Sequence, residues 1–403
     1  MLATLFLFIL HHLPIYQIFI DPFSEAIKNH DVMDVAFSKF RNHDDPTLFD
    51  PEVFIINSEI TDREQLANAI DIVIKKQAAV VGVDLLFDKP NYDKADTLLR
   101  AALQHEKVII GYTFEETQGH TSISSDRSSE FFSDKTQSAF VNLGSNDGFS
   151  VRTFEPFHEI DGQKDLAFAV KVASYLDPEI PTILKERHLK KEWINFRRKQ
   201  PGKLNSIYPI NNEGLIHYAM VDISDFIAEA NNYKDDYFRD KIVLIGFNGD
   251  NNSYLSMQDR YFTPLNEKYS GRSLPDMHGV IIHANIISML LDKDYINDTS
   301  EKYLYLIAFL IFFINFMIFD KLVKKNFVFT VATARLIQVV QFIILFTISV
   351  YMITYMNRKI GFVLIITAVV LSFELYEYYH HRLQSRFTKL LNYKRTKKIK
   401  GQK

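Results

Sequence analysis

The chain contains no cysteine and only one tryptophan. Without thiols there can be no disulfide, no thiolate nucleophile and no cysteine-ligated zinc. No G-x-G-x-x-G turn and no Walker lysine follows any glycine-rich segment, which removes the usual sequence signs of nucleotide binding. No nucleophile elbow accompanies a Ser-His-Asp set. Basic charge is scarce in the first three quarters of the chain. Residues 1–302 hold 31 Lys+Arg against 46 Asp+Glu, a balance that argues against a nucleic-acid face. Acid is scarce in the remainder. Residues 303–403 hold 15 Lys+Arg and 3 Asp+Glu, a balance that suits an anionic membrane surface.

The apolar residues are concentrated at the two ends. Residues 303–319 run 17 positions with a single Asn. Further runs cover about 336–356 and about 360–376, separated by Asn357, Arg358 and Lys359. Three such runs with basic flanks read as transmembrane helices. The first 20 residues are apolar but interrupted by His11, His12, Pro14 and Gln17. They lack a basic n-region and a small-residue cleavage site, so the reading is a span rather than a cleaved leader. From His380 onward there are nine Lys/Arg and no acid, which puts the tail in the cytoplasm. Counting back, the loop at 320–326 is inside and residues 21–302 are outside. The expected organisation is therefore a span over 1–20, an extracytoplasmic domain over 21–302, three spans over 303–379 and a basic tail over 380–403.

Between the anchors, strands and helices alternate. Val53–Asn57, Ala78–Asp84, Lys107–Tyr112, Phe140–Leu143, Glu192–Phe196 and Lys241–Gly246 read as strands, several of them continuous apolar runs of the kind covered on both faces. Helices are expected over Asp62–Lys76 with Thr61 as cap, Lys94–Leu103, Asp165–Tyr175 and Gly279–Leu291. Gly119–Asp134, rich in Ser, Thr and Asp, is expected to be a mobile loop. The order predicts an α/β fold, a largely parallel sheet with helices on both faces.

Asp84 ends a buried strand, where parallel sheets place ligands. It reads either as a ligand or cation contact or as an acceptor for loop N–H groups. Asp259, Thr263 and Pro264 lie in a long loop after Lys241–Gly246. Gly246 and Gly249 ahead of them suit an anion nest or an ordinary turn. His278 and His283 are five apart, which does not place both on one helical face as a zinc pair requires. His283, followed by Ala284 and Asn285, reads as a packed histidine or as one that reports acidity. Asn142, Asp147 and Arg152 suggest a polar knot, with Asp147-Gly148 reading equally as a turn. Asn195 and Arg197 suggest bonds to loops, and Glu374 and Glu377 are placed either to snorkel or to pair with Arg382. No metal site and no cofactor is expected.

Several stretches together resemble the type-two CHASE domain, the cyclases/histidine kinases associated sensory extracellular domain. They are AVVGVDLLFDKPNYDKADTLLRAAL (79–103), FVNLGSNDGFSVRTFEPF (140–157), WINFRR (193–198), FRDKIVLIGFNGDNNSYLSMQDRYFTPL from Phe238, and MHGVIIHANIISMLL ending at Leu291. The chain departs from the family at Ile56-Asn57-Ser58, where Ile-Asp-Asp is common, and it lacks the Trp-Pro-x-x-Arg segment that usually follows. The resemblance implies a sensory domain with one span before it and three after it. Relatives usually end in a kinase or cyclase module. Here about 24 residues follow the last span, which implies that a separate cytoplasmic or membrane protein supplies the output.

The expectation is a multi-pass protein of a bacterial cytoplasmic membrane with a periplasmic ligand-binding domain. Its ligand residues would be Asp84, Phe87, Asp259, Thr263, His283 and Asn285. Its partners would be the lipid bilayer, a small ligand or an envelope protein, and the output protein, with room for a homodimer. The alternative is a non-catalytic assembly subunit of an envelope complex. An enzyme using Asp84 or Asp259 is the least favoured reading.

Overall fold

The computed structural model describes residues 31–41, 48–58, 62–117, 120–123, 127–144, 150–160, 162–199, 210–211, 214–215, 217–249, 259–266, 274–324 and 330–380. The chain divides into two compact units, Asn29–Ile296 and the remainder. The expected N-terminal span, the basic tail and Asp147 lie outside the described residues.

The first unit is built on six parallel strands: β1 (Asp50–Asn57), β2 (Val80–Asp84), β3 (Val108–Tyr112), β4 (Gln137–Phe140), β5 (Tyr218–Asp222) and β6 (Ile242–Gly246). Their spatial order is β5-β1-β6-β2-β3-β4. The late strand β6 is inserted between β1 and β2, with Leu244 opposite both Ile55 and Gly82. β2, β3 and β6 are buried at nearly every position because helices cover both faces, and this explains their unbroken apolar runs.

On one face lie α1 (Arg63–Lys75), α2 (Lys94–Leu103) and α4 (Ile223–Ala228). The apolar stripe of α1, Leu66, Ala69, Ile70 and Val73, packs on Phe54, Ile56, Val81, Val83, Val243 and Ile245 of the sheet. The cap of α1 is Asp62, not Thr61. The Asp62 carboxylate accepts the N–H groups of Glu64 (3.0 Å) and Gln65 (3.4 Å), and a carboxylate beside the helix N-terminus also meets the positive end of the dipole. On the opposite face lie α3 (Phe168–Ala173) and α5 (Gly279–Leu291). Their approach depends on glycine. A Cβ at Gly82 would sit 2.8 Å from the Phe168 ring and 2.9 Å from Leu244, and one at Gly246 would sit 2.9 Å from Val280.

Several expectations need correction. The segment expected to be a mobile loop contains a hairpin strand, His120–Ile123, paired with Phe114–Thr117, and a helical turn, Glu130–Ser133, whose Phe132 is fully buried. β4 lies at Gln137–Phe140 rather than Phe140–Leu143. The expected strand Glu192–Phe196 pairs only over Glu192–Trp193. The edge strand β5 was not expected. Arg152 does not join Asn142. It makes a buried two-point ion pair with Asp34 (2.9 and 2.7 Å).

The second unit holds α6 (Glu301–Lys324), α7 (Thr330–Met356) and α8 (Phe362–Tyr378). α6 and α7 are each long and apolar enough to cross a membrane. α8, with 17 residues, is shorter. Their outward faces carry exposed Leu306, Leu310, Phe313, Val339, Ile343 and Val363, an apolar surface that water would not tolerate uncovered. Their inward faces meet through small and polar residues. Ala308 packs with Ala368. Asn315 donates to Gln341 (3.1 Å) and Ser372 (3.0 Å), and Gln338 donates to the Val369 carbonyl (2.8 Å). Such bonds hold helices together where lipid provides no hydrophobic drive. Glu374 pairs with Arg335 at 2.7 Å. Arg382, its expected partner, lies outside the described residues.

The glycine-dependent layer gives a direct test. Gly82→Ala should destabilise the sheet domain by about 1–3 kcal/mol, because Phe168 and Leu244 lack room to give way. Trp193 is the chain's only tryptophan and lies in this domain, so its fluorescence during denaturant unfolding reads the change.

Candidate functional site

The carboxyl ends of β6, β2, β3 and β4, four neighbours in the sheet, open onto a crevice of about 510 Å³. Its wall is made by Asp84 and Leu85–Leu86 after β2, Gly111 and Thr113 at β3, Val141–Leu143 after β4, and Phe247 after β6. Asp259 and Tyr261 join them, with Gly279 and His283 from the first turns of α5. Parallel sheets place ligands at this end because strand-to-helix loops diverge there.

Asp84 is the last residue of β2 and its side chain is 13% exposed. No hydrogen-bond donor reaches it among the described residues. The nearest polar atom recorded is His283 Nε2, at 4.0 Å. Burial pushes the Asp84 carboxyl up to about 7. Asp259 is pushed up to about 7 by burial and then by the charge of Asp84, against hydrogen bonds from Tyr261 and the Gly279 N–H. The two carboxyls thus titrate as a pair, and each makes ionisation of the other harder.

Glycine again makes the space. A Cβ on Gly279 would lie 2.8 Å from an Asp259 oxygen, and one on Gly246 would lie 3.3 Å from Asp84 Cβ. Asp259 itself has φ +53°, an uncommon backbone conformation for a residue with a side chain. Its carbonyl accepts the Gly279 N–H at 3.1 Å.

His283 is 4% exposed and stands edge-on to Phe168 at 5.2 Å. Burial lowers its pKa to about 4, against a hydrogen bond to the Val141 carbonyl that raises it. It is therefore neutral at physiological pH. Its approach to Asp84 is no ion pair, and the expectation that it reports acidity near neutrality does not fit. Its Nδ1 has no hydrogen-bond partner.

Of the residues singled out from the sequence, Asp84, Asp259 and His283 come together in this crevice. Phe87, Thr263 and Asn285 do not line it. The Phe87 ring is buried on the α1/α2 side of the sheet, 5.6 Å from that of Phe132, and its N–H donates to Ser128. Thr263 donates from its backbone and its hydroxyl to the Asp276 carboxylate. Asn285 lies further along α5 and closes a two-way bond with the Arg198 backbone (3.1 and 3.0 Å). Sequence reasoning did not single out Tyr261, Phe247 or Thr113. Tyr261 stands two residues after Asp259, but the left-handed backbone at Asp259 breaks the alternation of an extended strand, so no local pattern announces that the two side chains meet. Among the described residues, no group of three or more His, Asp or Glu could hold a metal ion.

The chain thus combines a parallel α/β domain that has a crevice at its strand ends with an apolar helical unit that follows it in sequence. The sequence profile of the CHASE2 domain matches residues 49–318. The chain belongs to the CHASE2 domain family, a family of sensory extracellular domains. No curated protein and no solved structure matches the chain.

The acid pair predicts a pH dependence. A carboxyl whose pKa is raised on folding holds its proton longer in the folded state. Its stabilising contribution is present at low pH and is lost between the ordinary aspartate value and about 7. His283, lowered to about 4, acts in the opposite sense below its ordinary value and adds nothing above it. From about pH 6 to about pH 8 the aspartates therefore decide the sign. The Trp193-monitored melting temperature should fall over this range in the unmodified chain and fall less in Asp84→Asn. Equal slopes would show that Asp84 ionises freely.

Proposed function

We propose that this chain is a membrane-anchored sensory protein. Its CHASE2 domain lies outside the cytoplasm and takes a ligand in the crevice between Asp84, Asp259 and His283. The apolar helices hold it in a cytoplasmic membrane and relay the change to a separate output protein. The observation that carries this reading is the crevice itself, set at the carboxyl ends of four adjacent strands in a domain of a sensory family. The order of elements supports the relay, because α5 starts at the crevice and the chain reaches α6 ten residues after α5 ends. We propose a binding role for the crevice and assign it no catalytic step. The output partner docks on the inner face offered by the loop at 320–326 and the basic tail. Packing as an assembly subunit remains the outcome to expect if no ligand changes the output.

The absence of cysteine makes topology easy to read. Lys94 and Lys324 have side chains 80% and 67% exposed. Lys94→Cys should react with a membrane-impermeant maleimide in intact spheroplasts, and Lys324→Cys only after permeabilisation. The reverse pattern would overturn the orientation. For the relay, replacing the basic residues of 386–403 by Gln should release a copurifying partner. Retention of that partner would move the contact to the membrane helices or to the outer domain.

A further inference from the structure

Among the described residues, two acidic side chains and no Lys or Arg line the crevice. Arg260, which stands between Asp259 and Tyr261 in sequence, is not among its 13 lining residues. Asp84 receives no hydrogen bond among the described residues, and His283, 4% exposed and lining the same cavity, has an unpartnered ring nitrogen. Buried polar groups require partners. Acceptors left without donors inside a cavity of about 510 Å³ describe the complement of what belongs there.

We propose that the crevice binds an organic cation, a small molecule carrying an ammonium or amidinium group whose N–H donors are received by Asp84 and Asp259. This rests on reading the crevice as the ligand site. The chemistry favours an organic cation over a metal ion on two counts. No group of three or more metal-type side chains exists among the described residues, and Leu85, Leu86, Leu143 and Phe247 give the cavity apolar walls suited to a carbon skeleton. Phe247 and Tyr261 also offer ring faces, which attract cations.

Binding is coupled to a proton. Without ligand, the carboxyl pair retains protons around neutrality, because desolvation disfavours the charged form of each and the charge of Asp84 adds to this at Asp259. An ammonium ion that enters between them displaces a proton to solvent, and the net charge of the site is unchanged. Among the described residues that line the crevice, the other titratable groups are Tyr261 and His283. Burial and the charge of Asp259 raise Tyr261 far above neutrality, and burial lowers His283 to about 4. Neither changes charge near pH 7, so among these lining groups the aspartates set the dependence.

The test uses the full chain in lipid nanodiscs, titrated by calorimetry with agmatine and putrescine. Butane-1,4-diol serves as the neutral analogue, succinate as the anionic one and magnesium as the inorganic cation. At least one amine should bind, and its affinity should rise about tenfold from about pH 6 to about pH 8 for each proton displaced. The heat should vary with buffer ionisation enthalpy, which reports proton release. Asp84→Asn should weaken amine binding by about tenfold or more while the Trp193-monitored transition stays cooperative. Asp259→Asn provides a second variant should the first fail to fold. Binding of the diol or succinate as tight as the amine overturns the proposal. So does binding of magnesium alone, an affinity indifferent to pH, or unchanged amine binding in both variants. If no amine binds but either variant still uncouples the output partner in cells, the cation class is wrong and the crevice as sensor stands. If the variants do neither, both readings fall.

Discussion

Complete burial of α5 is the constraint on which the rest of the domain depends. Twelve of its 13 residues are buried, so it has no amphipathic face and cannot exist apart from the sheet. A helix buried all round must sit between layers. The sheet admits it only where β6 offers Gly246, at van der Waals distance from Val280. That close approach brings the first turn of α5 to the strand ends. Gly279 then donates to Asp259, and His283 comes within 4.0 Å of Asp84. The crevice is thus a consequence of packing, with polar groups placed at the end of an apolar contact.

At its other end α5 enters a layer of buried polar bonds. Ser288 donates to the Asp50 carboxylate and bonds the Tyr218 hydroxyl at 3.2 Å. Arg198 faces both Asp50 (3.7 Å) and Asp292 (3.6 Å). Beyond it, Arg197 pairs with Asp294, and Asn195 donates to the Asp294 carbonyl (2.9 Å) while accepting from Arg41 (2.5 Å). Arg41 belongs to the segment that precedes β1, and Asp294 to the one that leads to α6. The short stretch 195–198 therefore ties together the points where the chain enters and leaves the domain. Breaking one member would leave a buried charge unpaired, the most expensive kind of defect in an interior.

What was legible in the sequence followed from local rules. The expected bounds of Lys94–Leu103 and Gly279–Leu291 match the observed ones; in the structure Asp93 caps the first by accepting the Asp96 N–H. The buried strands declared themselves by continuous Val and Ile, and the family resemblance by an ordered set of motifs. What stayed hidden depended on distant partners. β5 is five residues at a sheet edge, defined by pairing with β1 rather than by its own pattern. Residues 194–198 look like a strand but are held by side-chain bonds to α5 and the following turn. Asp34 and Arg152 are 118 positions apart, and nothing local announces their pair. Within the crevice, Asp84 and His283 could be nominated from their places on a strand and a helix. Phe87, only three residues after Asp84, belongs to the opposite face of the sheet, a distinction set by how the chain turns after β2.

Under the proposed function, these features bear on how the domain would pass on a change. A ligand shifts an equilibrium only by its differential affinity for two states, so some element must differ between them. The crevice offers one at Asp259, whose strained backbone and carboxyl both bond to the first residue of α5. A group that draws on the Asp259 carboxylate competes with the Gly279 N–H for it. Thirteen residues of helix reach about 20 Å, with close packing along the whole length. A packed interior is stiff and yields by discrete rearrangement rather than by gradual deformation. On the proposed reading, a disturbance at Gly279 would pass along the packed body of α5 to its far end, where Ser288 bonds Asp50 and Asp292 faces Arg198. Those residues immediately precede the stretch of chain that runs into α6.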